Sequence, residues 1–109
     1  MSQESENAAP ADGSVVPRAL LFLRSDYVAP RTATETALAE IWREALAMDR
    51  VGIEDDYRDL GGDSLLAALI FASIERRLGI AMPTSSLIKA WTIAALARKI
   101  DAARTRGAA

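Results

Sequence analysis

The chain has 109 residues, of which half are hydrophobic, and it carries a net charge of −2 at pH 7 with a sequence pI near 5.1. This length supports one small domain, and the acidic balance argues against a general nucleic-acid binder. The absence of cysteine and histidine removes disulfides, the usual Ser-His and Cys-His nucleophile pairs and the common zinc sites, so we expect no metal.

We predict no folded element in the first 26 residues. Residues 1–14 are rich in Ser, Glu, Asn, Ala, Pro and Gly, which is typical of a disordered tail, and they do not resemble a signal peptide. Residues 15–23 are more apolar and could form a short docking segment, but we predict a disordered N-terminal extension over residues 1–26. Since no stretch approaches the roughly 18 apolar residues of a membrane span, we expect a cytoplasmic protein with no membrane partner.

The first predicted helix follows an extended segment at residues 27–31 (YVAPR), where the proline disfavours helical backbone before it. Thr32 and Glu35 have the spacing of a capping box, with a hydroxyl at the cap and a carboxylate three residues later. Apolar residues then recur at helical spacing and predict a helix from about Thr34 to Met48. They are Leu38, Ile41, Trp42, Ala45 and Leu46.

A long acidic connection runs from Asp49 to Asp63. A loop of this length usually carries function or is held by its own side chains. The apolar side chains that we expect to hold it are Val51, Ile53, Tyr57 and Leu60. Its acidic residues are Asp49, Glu54, Asp55, Asp56, Asp59 and Asp63. We interpret them mainly as a solvated face, with steering of a basic partner enzyme as the alternative.

The second predicted helix spans Ser64 to Leu78, between Asp63 as N-cap and Gly79 as C′ residue. At about 100° per residue, its apolar side chains fall on two opposite faces. The core stripe comprises Ala67, Ile70, Phe71, Ile74 and Leu78. The second face comprises Leu65, Ala68, Leu69 and Ala72. Because a surface helix should be polar on that side, we expect this face either to dock partner proteins or to pack against the loop or the third helix.

Two further helical elements are predicted. Ser85 or Ser86 is expected to cap a short helical turn over residues 87–89, and Thr92 is expected to cap a last helix from Ile93 to about Arg104. The residues of the last helix that we expect to point inward are Ile93, Leu96, Ala97 and Ile100.

These elements predict an all-α fold: a small four-helix bundle with a long loop between helices 1 and 2 and a short third helix. The folded domain is predicted to span residues 27–104, and residues 105–109 are predicted to form a flexible tail.

Ser64 is the main candidate for a functional residue, because it lies at the start of the second helix, just after two glycines and Asp63. A catalytic role is disfavoured, since the chain has no histidine to activate the hydroxyl. The nearby acids do not match a calcium loop, and the glycines lack the GK[ST] of a phosphate loop. An attachment point fits better, because free N–H groups and the positive dipole end favour a phosphate, and Gly61 and Gly62 leave room for an incoming enzyme.

The segment LGGDSL at residues 60–65 resembles the LGG[DH]S[LI] signature of peptidyl carrier proteins, the thiolation domains of nonribosomal peptide synthetases. The resemblance includes YVAPRT at residues 27–32, VGIEDDY at residues 51–57, similar to V-G-x-x-D-x-F/Y, and TIAALA at residues 92–97, similar to T-[IV]-A-x-L-A. It implies that Ser64 receives 4′-phosphopantetheine from coenzyme A through a phosphopantetheinyl transferase. The thiol of that arm would carry an aminoacyl or peptidyl group as a thioester, on a carrier that is not itself an enzyme.

The resemblance also implies partners for a monomeric carrier: the phosphopantetheinyl transferase, an adenylation enzyme, and condensation, thioesterase or tailoring enzymes. The residues expected around the arm are Gly61, Gly62, Asp63, Ser64 and Leu65. The residues expected to contact partners are Leu65, Ala68, Leu69, Met82, Leu87 and Trp91. The segment MPTSSLIKAW at residues 82–91 departs from the family's commoner pattern, with Trp91 where proline often stands, so partner identity is the least transferable inference.

Two alternatives remain beside this reading. An acyl or aryl carrier for polyketide, siderophore or hydroxy-acid chemistry shares the signature, although the LGGDS form favours the peptidyl type. An unmodified helical interaction module, in which GGDS is only a helix entry, belongs to a different class. The N-terminus does not resemble the end of an adenylation domain, which favours a free-standing carrier over an excised domain.

Overall fold

Helices dominate the chain in a computed structural model that describes residues 15–108. Within that range they are α1 (Ala33–Leu46), α2 (Ser64–Leu78), α3 (Ser85–Ile88) and α4 (Ile93–Ala108), preceded by a 3₁₀ turn at Arg18–Leu21. These described residues contain no strand, so the predicted all-α fold with a short third helix is confirmed. No helix among them combines the length and the apolar character of a membrane span.

One hydrophobic core joins the helices to the long loop between α1 and α2. Helix α1 packs against both α2 and α4. The loop contributes as predicted, since Val51, Ile53, Tyr57 and Leu60 are all buried. The helical side chains of the core are Leu38, Ile41, Trp42, Ala67, Ile70, Phe71, Ile74, Leu87, Ile93, Ala94, Leu96, Ala97 and Ile100. Three further residues of the predicted apolar patterns are only half-buried at the edge of the core: Ala45, Leu46 and Leu78.

The N-terminus of α1 has the predicted cap, with one change of partner. The Thr32 hydroxyl accepts the N–H of Glu35 at 3.0 Å, as in a capping box. The Glu35 carboxylate reaches past Thr32 and accepts the backbone N–H and the guanidinium of Arg31, both at 2.8 Å. These hydrogen bonds from Arg31 hold the pKa of Glu35 below its usual value, so this buried carboxylate is ionised at neutral pH.

The C-terminus of α1 comes earlier than predicted. The helix ends at Leu46 because Ala47 adopts left-handed backbone with φ 55°. The predicted last residue, Met48, instead turns into the core, where it is buried and forms an isolated bridge with Val16.

The ends of α3 and α4 also differ from prediction in part. Helix α3 begins after Thr84, whose side chain makes no capping hydrogen bond, so the prediction of Ser85 or Ser86 as the cap is wrong. Thr92 caps α4 as predicted. Helix α4 continues to Ala108, past its predicted end and into the predicted flexible tail, of which Ala109 lies outside the described residues.

Residues 15–26, named the N-terminal segment from here on, were predicted to be disordered but pack against the chain after α1. Val16 donates its N–H to the carbonyl of Ala47 at 2.8 Å and accepts the N–H of Asp49 at 3.0 Å. The disorder prediction is therefore wrong for residues 15–26, and its remaining part, residues 1–14, lies outside the described residues.

An ion pair with the long loop anchors the N-terminal segment. Arg18 contacts Asp55 through two hydrogen bonds of 2.7 and 2.5 Å, and Asp55 is fully buried. At the surface, Arg24 makes a second two-pronged contact with Asp59, at 2.9 and 3.2 Å. The interpretation of the acidic loop as a solvated face is consequently wrong at Asp55, because this carboxylate is buried. A buried carboxylate requires a partner of opposite charge, which Arg18 supplies.

Candidate functional site

Ser64 is the first residue of α2, and its side chain is exposed. Asp63 is the N-cap, as predicted, and its carboxylate accepts the N–H of Leu66 at 2.9 Å. The helix ends at Leu78, before Gly79, whose left-handed backbone (φ 69°) suits a glycine C-cap. The serine hydroxyl therefore lies at the positive end of the dipole of a 15-residue capped helix.

Tyr57 lies beneath the start of α2 and connects three parts of the site. Its hydroxyl donates to the carbonyl of Asp63 at 2.6 Å. Its backbone N–H donates to the carbonyl of Trp91 at 2.8 Å, and its own carbonyl accepts the N–H of Gly62 at 3.1 Å. Burial raises the pKa of the Tyr57 phenol, and the charge of Asp63 raises it further, so the hydroxyl remains a donor at neutral pH. One residue thus holds the loop, the start of α2 and the entry to α4 together.

Aromatic rings enclose Tyr57 on two sides. Trp42 meets its ring edge-on, with centroids 6.1 Å apart, and Trp91 stacks nearly parallel to it at 6.3 Å. The guanidinium of Arg58 lies 4.3 Å from the centroid of the Trp91 ring and also pairs with Asp56 at 2.7 Å. Trp91 therefore belongs to the site through its stacking on Tyr57, and Arg58 is a site residue that the sequence analysis did not identify.

Glycine suits the two positions before Ser64 for different structural reasons. Gly61 has a φ of 90°, in the left-handed region that glycine adopts without strain, and a Cβ atom there would point into open space. A Cβ atom on Gly62 would overlap the phenol ring of Tyr57. We expected both glycines to leave room for an incoming enzyme, but Gly62 leaves room for a side chain of the protein itself.

A groove of about 400 Å³ opens beside Ser64, between the start of α2 and the region of α3. Its walls combine aromatic and small apolar side chains with a polar rim that includes one guanidinium. The lining residues are Tyr57, Arg58, Gly62, Asp63, Ser64, Ala67, Thr84, Ser85, Leu87 and Trp91.

The second apolar face of α2 is accessible. Leu65 is 71% exposed and Leu69 is 56% exposed, and Ala68 between them is also exposed. Such exposure does not favour the alternative prediction, in which these side chains are buried against the loop or the third helix. Leu87 differs from the other predicted contact residues, because it is only 2% exposed and packs in the core at the base of the groove. The remaining two residues of the predicted contact surface, Met82 and Trp91, are half-buried.

A family model described as a phosphopantetheine attachment site matches residues 36–100 of the chain. A chondramide synthase from Chondromyces crocatus is 51% identical over 80 residues, which are 73% of this chain and 2% of that protein. The chain thus spans a very small part of the length of this curated relative.

Two solved structures have the same fold at appreciable sequence identity. One contains the phosphopantetheine transferase Sfp in complex with coenzyme A and a peptidyl carrier protein; it matches with a TM-score of 0.67 and 37% identity, over 70% of this chain and 99% of the other. The second is the solution structure of an active-site mutant of a peptidyl carrier protein, with a TM-score of 0.68 and 35% identity, over 72% of this chain and 88% of the other.

The N-cap of α2 is expected to contribute measurably to stability. Asp63→Ala removes the acceptor for the Leu66 N–H and should lower the free energy of unfolding by about 1 kcal/mol in urea denaturation. Asp63→Asn retains an acceptor oxygen and should stay within about 0.5 kcal/mol of the wild type. If both variants lower the free energy of unfolding equally, the hydrogen bond to Leu66 is not the way in which the Asp63 carboxylate stabilises the protein.

Proposed function

This chain belongs to the phosphopantetheine-attachment family, as a carrier domain of the nonribosomal peptide synthetase type, and from this membership we propose that Ser64 carries the 4′-phosphopantetheine arm. The observation that carries the proposal is the exposed hydroxyl of Ser64 at the N-terminus of α2, beside an open groove. A hydroxyl in this position is accessible to another enzyme, while the backbone on both sides of it is held in place.

The residues around Ser64 fit an attached phosphodiester. The first-turn N–H groups and the helix dipole favour negative charge at this end of α2. Arg58 adds a full positive charge to the lining of the same groove. Its ion pair with Asp56 is exposed, with 58% of the Arg58 side chain accessible, so the guanidinium could turn to a phosphate at small cost.

The groove also fits the arm beyond its phosphate. Ala67, Leu87 and Trp91 give it apolar walls, and Thr84 and Ser85 supply hydroxyl groups at its rim. When bound, the arm supplies the thiol that holds an acyl group as a thioester, which a chain without cysteine lacks. Gly61, Gly62, Asp63 and Leu65 surround the attachment point, with Gly62 and Asp63 held by Tyr57.

The chain acts in this proposal as a carrier and not as an enzyme. It has no histidine or cysteine for nucleophilic catalysis, so the reactions on the cargo belong to partner proteins. We propose an aminoacyl or peptidyl cargo, loaded by an adenylation enzyme and passed to condensation, thioesterase or tailoring enzymes, in the cytoplasm and on a monomeric carrier. The solved complex of a similar peptidyl carrier protein with a phosphopantetheine transferase supports the transferase as the partner that installs the arm.

Intact-mass measurement tests the attachment site. Incubation with coenzyme A, magnesium and a broad-specificity phosphopantetheinyl transferase should add one phosphopantetheine to the wild type and none to Ser64→Ala. The matched control is Ser85→Ala, which removes another exposed hydroxyl from the same groove and should still gain one phosphopantetheine, because Ser85 is not the attachment point. An unmodified wild type, or a loaded Ser64→Ala variant, would contradict the proposal.

The exposed face of α2 is proposed to contact the transferase and the other partners. Leu65→Asp places a charge at the centre of an apolar contact and should lower kcat/KM for loading by roughly tenfold or more. Ala102→Asp adds the same charge at an exposed position of α4 and should change kcat/KM by less than about twofold. Circular dichroism should show the wild-type helix content in both variants, because neither position is in the core. Equal loading of Leu65→Asp and Ala102→Asp would refute the contact.

A further inference from the structure

The N-terminal segment is joined to the long loop by a buried ion pair between residues 37 positions apart. The Nε and Nη2 atoms of Arg18 donate to the two carboxylate oxygens of Asp55, and Nη2 also donates to the carbonyl of Ser25 at 2.9 Å. The hydroxyl of Ser25 and the N–H of Gly52 donate to the same carboxylate, at 2.7 and 2.8 Å. The Arg18 side chain is 12% exposed and that of Asp55 is fully buried.

This network depends on both charges. Desolvation alone would raise the pKa of Asp55, but the hydrogen bonds from Arg18, Ser25 and the Gly52 N–H together lower it below its usual value. The carboxylate is therefore ionised at neutral pH. Removal of Arg18 would leave a buried charge without its counter-ion, which is strongly unfavourable, so the loop would have to move Asp55 towards water.

A movement of the loop at Asp55 would act on the site, because Tyr57 follows only two residues later. The backbone on both sides is fixed to other elements: the carbonyl of Ile53 accepts the N–H of Ala94 at 3.0 Å, and the N–H of Tyr57 donates to Trp91. Short, tethered backbone of this kind transmits a displacement to its neighbours instead of absorbing it.

We propose that Arg18 and Asp55 are a positioning pair, which keeps Tyr57 against Gly62 and thereby holds Ser64 in the geometry that receives the arm. The last step rests on the proposed function of Ser64, whereas the effect on Tyr57 and Gly62 does not. The functional carrier domain accordingly includes the N-terminal segment and does not begin at residue 27.

Hydrogen exchange of single amides, followed by NMR on the full chain, tests the pair directly. The Tyr57 amide, bonded to Trp91, and the Gly62 amide, bonded to Tyr57, report on the site, and amides in the middle of α1 and α4 report on global unfolding. Arg18→Ala should raise the exchange rates of the Tyr57 and Gly62 amides, and this increase should be about ten times the increase at the mid-helix amides. Arg18→Lys keeps the charge without the two-pronged geometry and should show the same pattern at smaller size.

The matched control is Arg24→Ala. It removes the same residue type from the same segment, but from an exposed pair with Asp59 in which 80% of the Arg24 side chain is accessible. Exchange at the site should change by less than about twofold in this variant. If Arg18→Ala leaves the two site amides unchanged, or speeds all amides by one common factor, the pair is only a structural contact and the proposal is overturned. Should Arg18→Ala fail to fold, Arg18→Lys decides between the same two patterns.

Loading assays separate this inference from the proposed function. Arg18→Lys should lower kcat for transfer of phosphopantetheine more than it raises KM, because the exposed Leu65 and Leu69 are untouched while the presentation of Ser64 is disturbed. A wild type that is never loaded would refute the role of Ser64, and the exchange pattern would still decide the effect on Tyr57 and Gly62. A loaded wild type with unchanged kcat in Arg18→Lys would refute the positioning of Ser64 alone.

Discussion

The phenol ring of Tyr57 occupies the space that a side chain on residue 62 would need, and the position of Ser64 depends on this steric fit. Protein interiors are packed too densely for both groups to be accommodated, so glycine is required at residue 62. The hydroxyl of the same ring reaches the carbonyl of Asp63, the residue that caps α2. The Tyr57 side chain therefore determines both the packing beneath the loop and the position of the start of α2. The hydroxyl of Ser64 lies on the solvent side of the contact between Tyr57 and Gly62.

This arrangement suits the proposed function, in which one atom is offered to several partner enzymes. The inward face of α2 packs in the core, and on its outward face Leu65 and Leu69 are largely exposed beside Ser64. A rigid entrance to the helix keeps the hydroxyl in the same place for each partner, while the accessible apolar side chains supply contact area. A chain without cysteine or histidine needs no catalytic geometry of its own if the thiol is attached and the chemistry belongs to its partners.

Local patterns were sufficient for the helices and their main caps because these act within one or two helical turns. They were not sufficient for the N-terminal segment, since no local pattern encodes a pairing between Arg18 and Asp55. A partial signal existed: Asp55 continues an alternating series with the apolar Val51, Ile53 and Tyr57, all of which are buried in the structure. A carboxylate in such a series needs a buried cation, but the sequence does not say which arginine supplies it. The burial of Leu87 could not be predicted, because a four-residue helix is too short for spacing to distinguish its inner face.

A double-mutant cycle between Gly62→Ala and Tyr57→Leu, measured by urea denaturation, tests the central contact most directly. Leucine lacks the outer ring atoms that a Cβ at residue 62 would meet. Gly62→Ala should cost roughly 1–3 kcal/mol in the wild type, as overpacking does, and close to nothing when Tyr57 is already leucine. If the cost of Gly62→Ala is the same in both backgrounds, Tyr57 does not determine the glycine at residue 62, and the position of Ser64 has another cause.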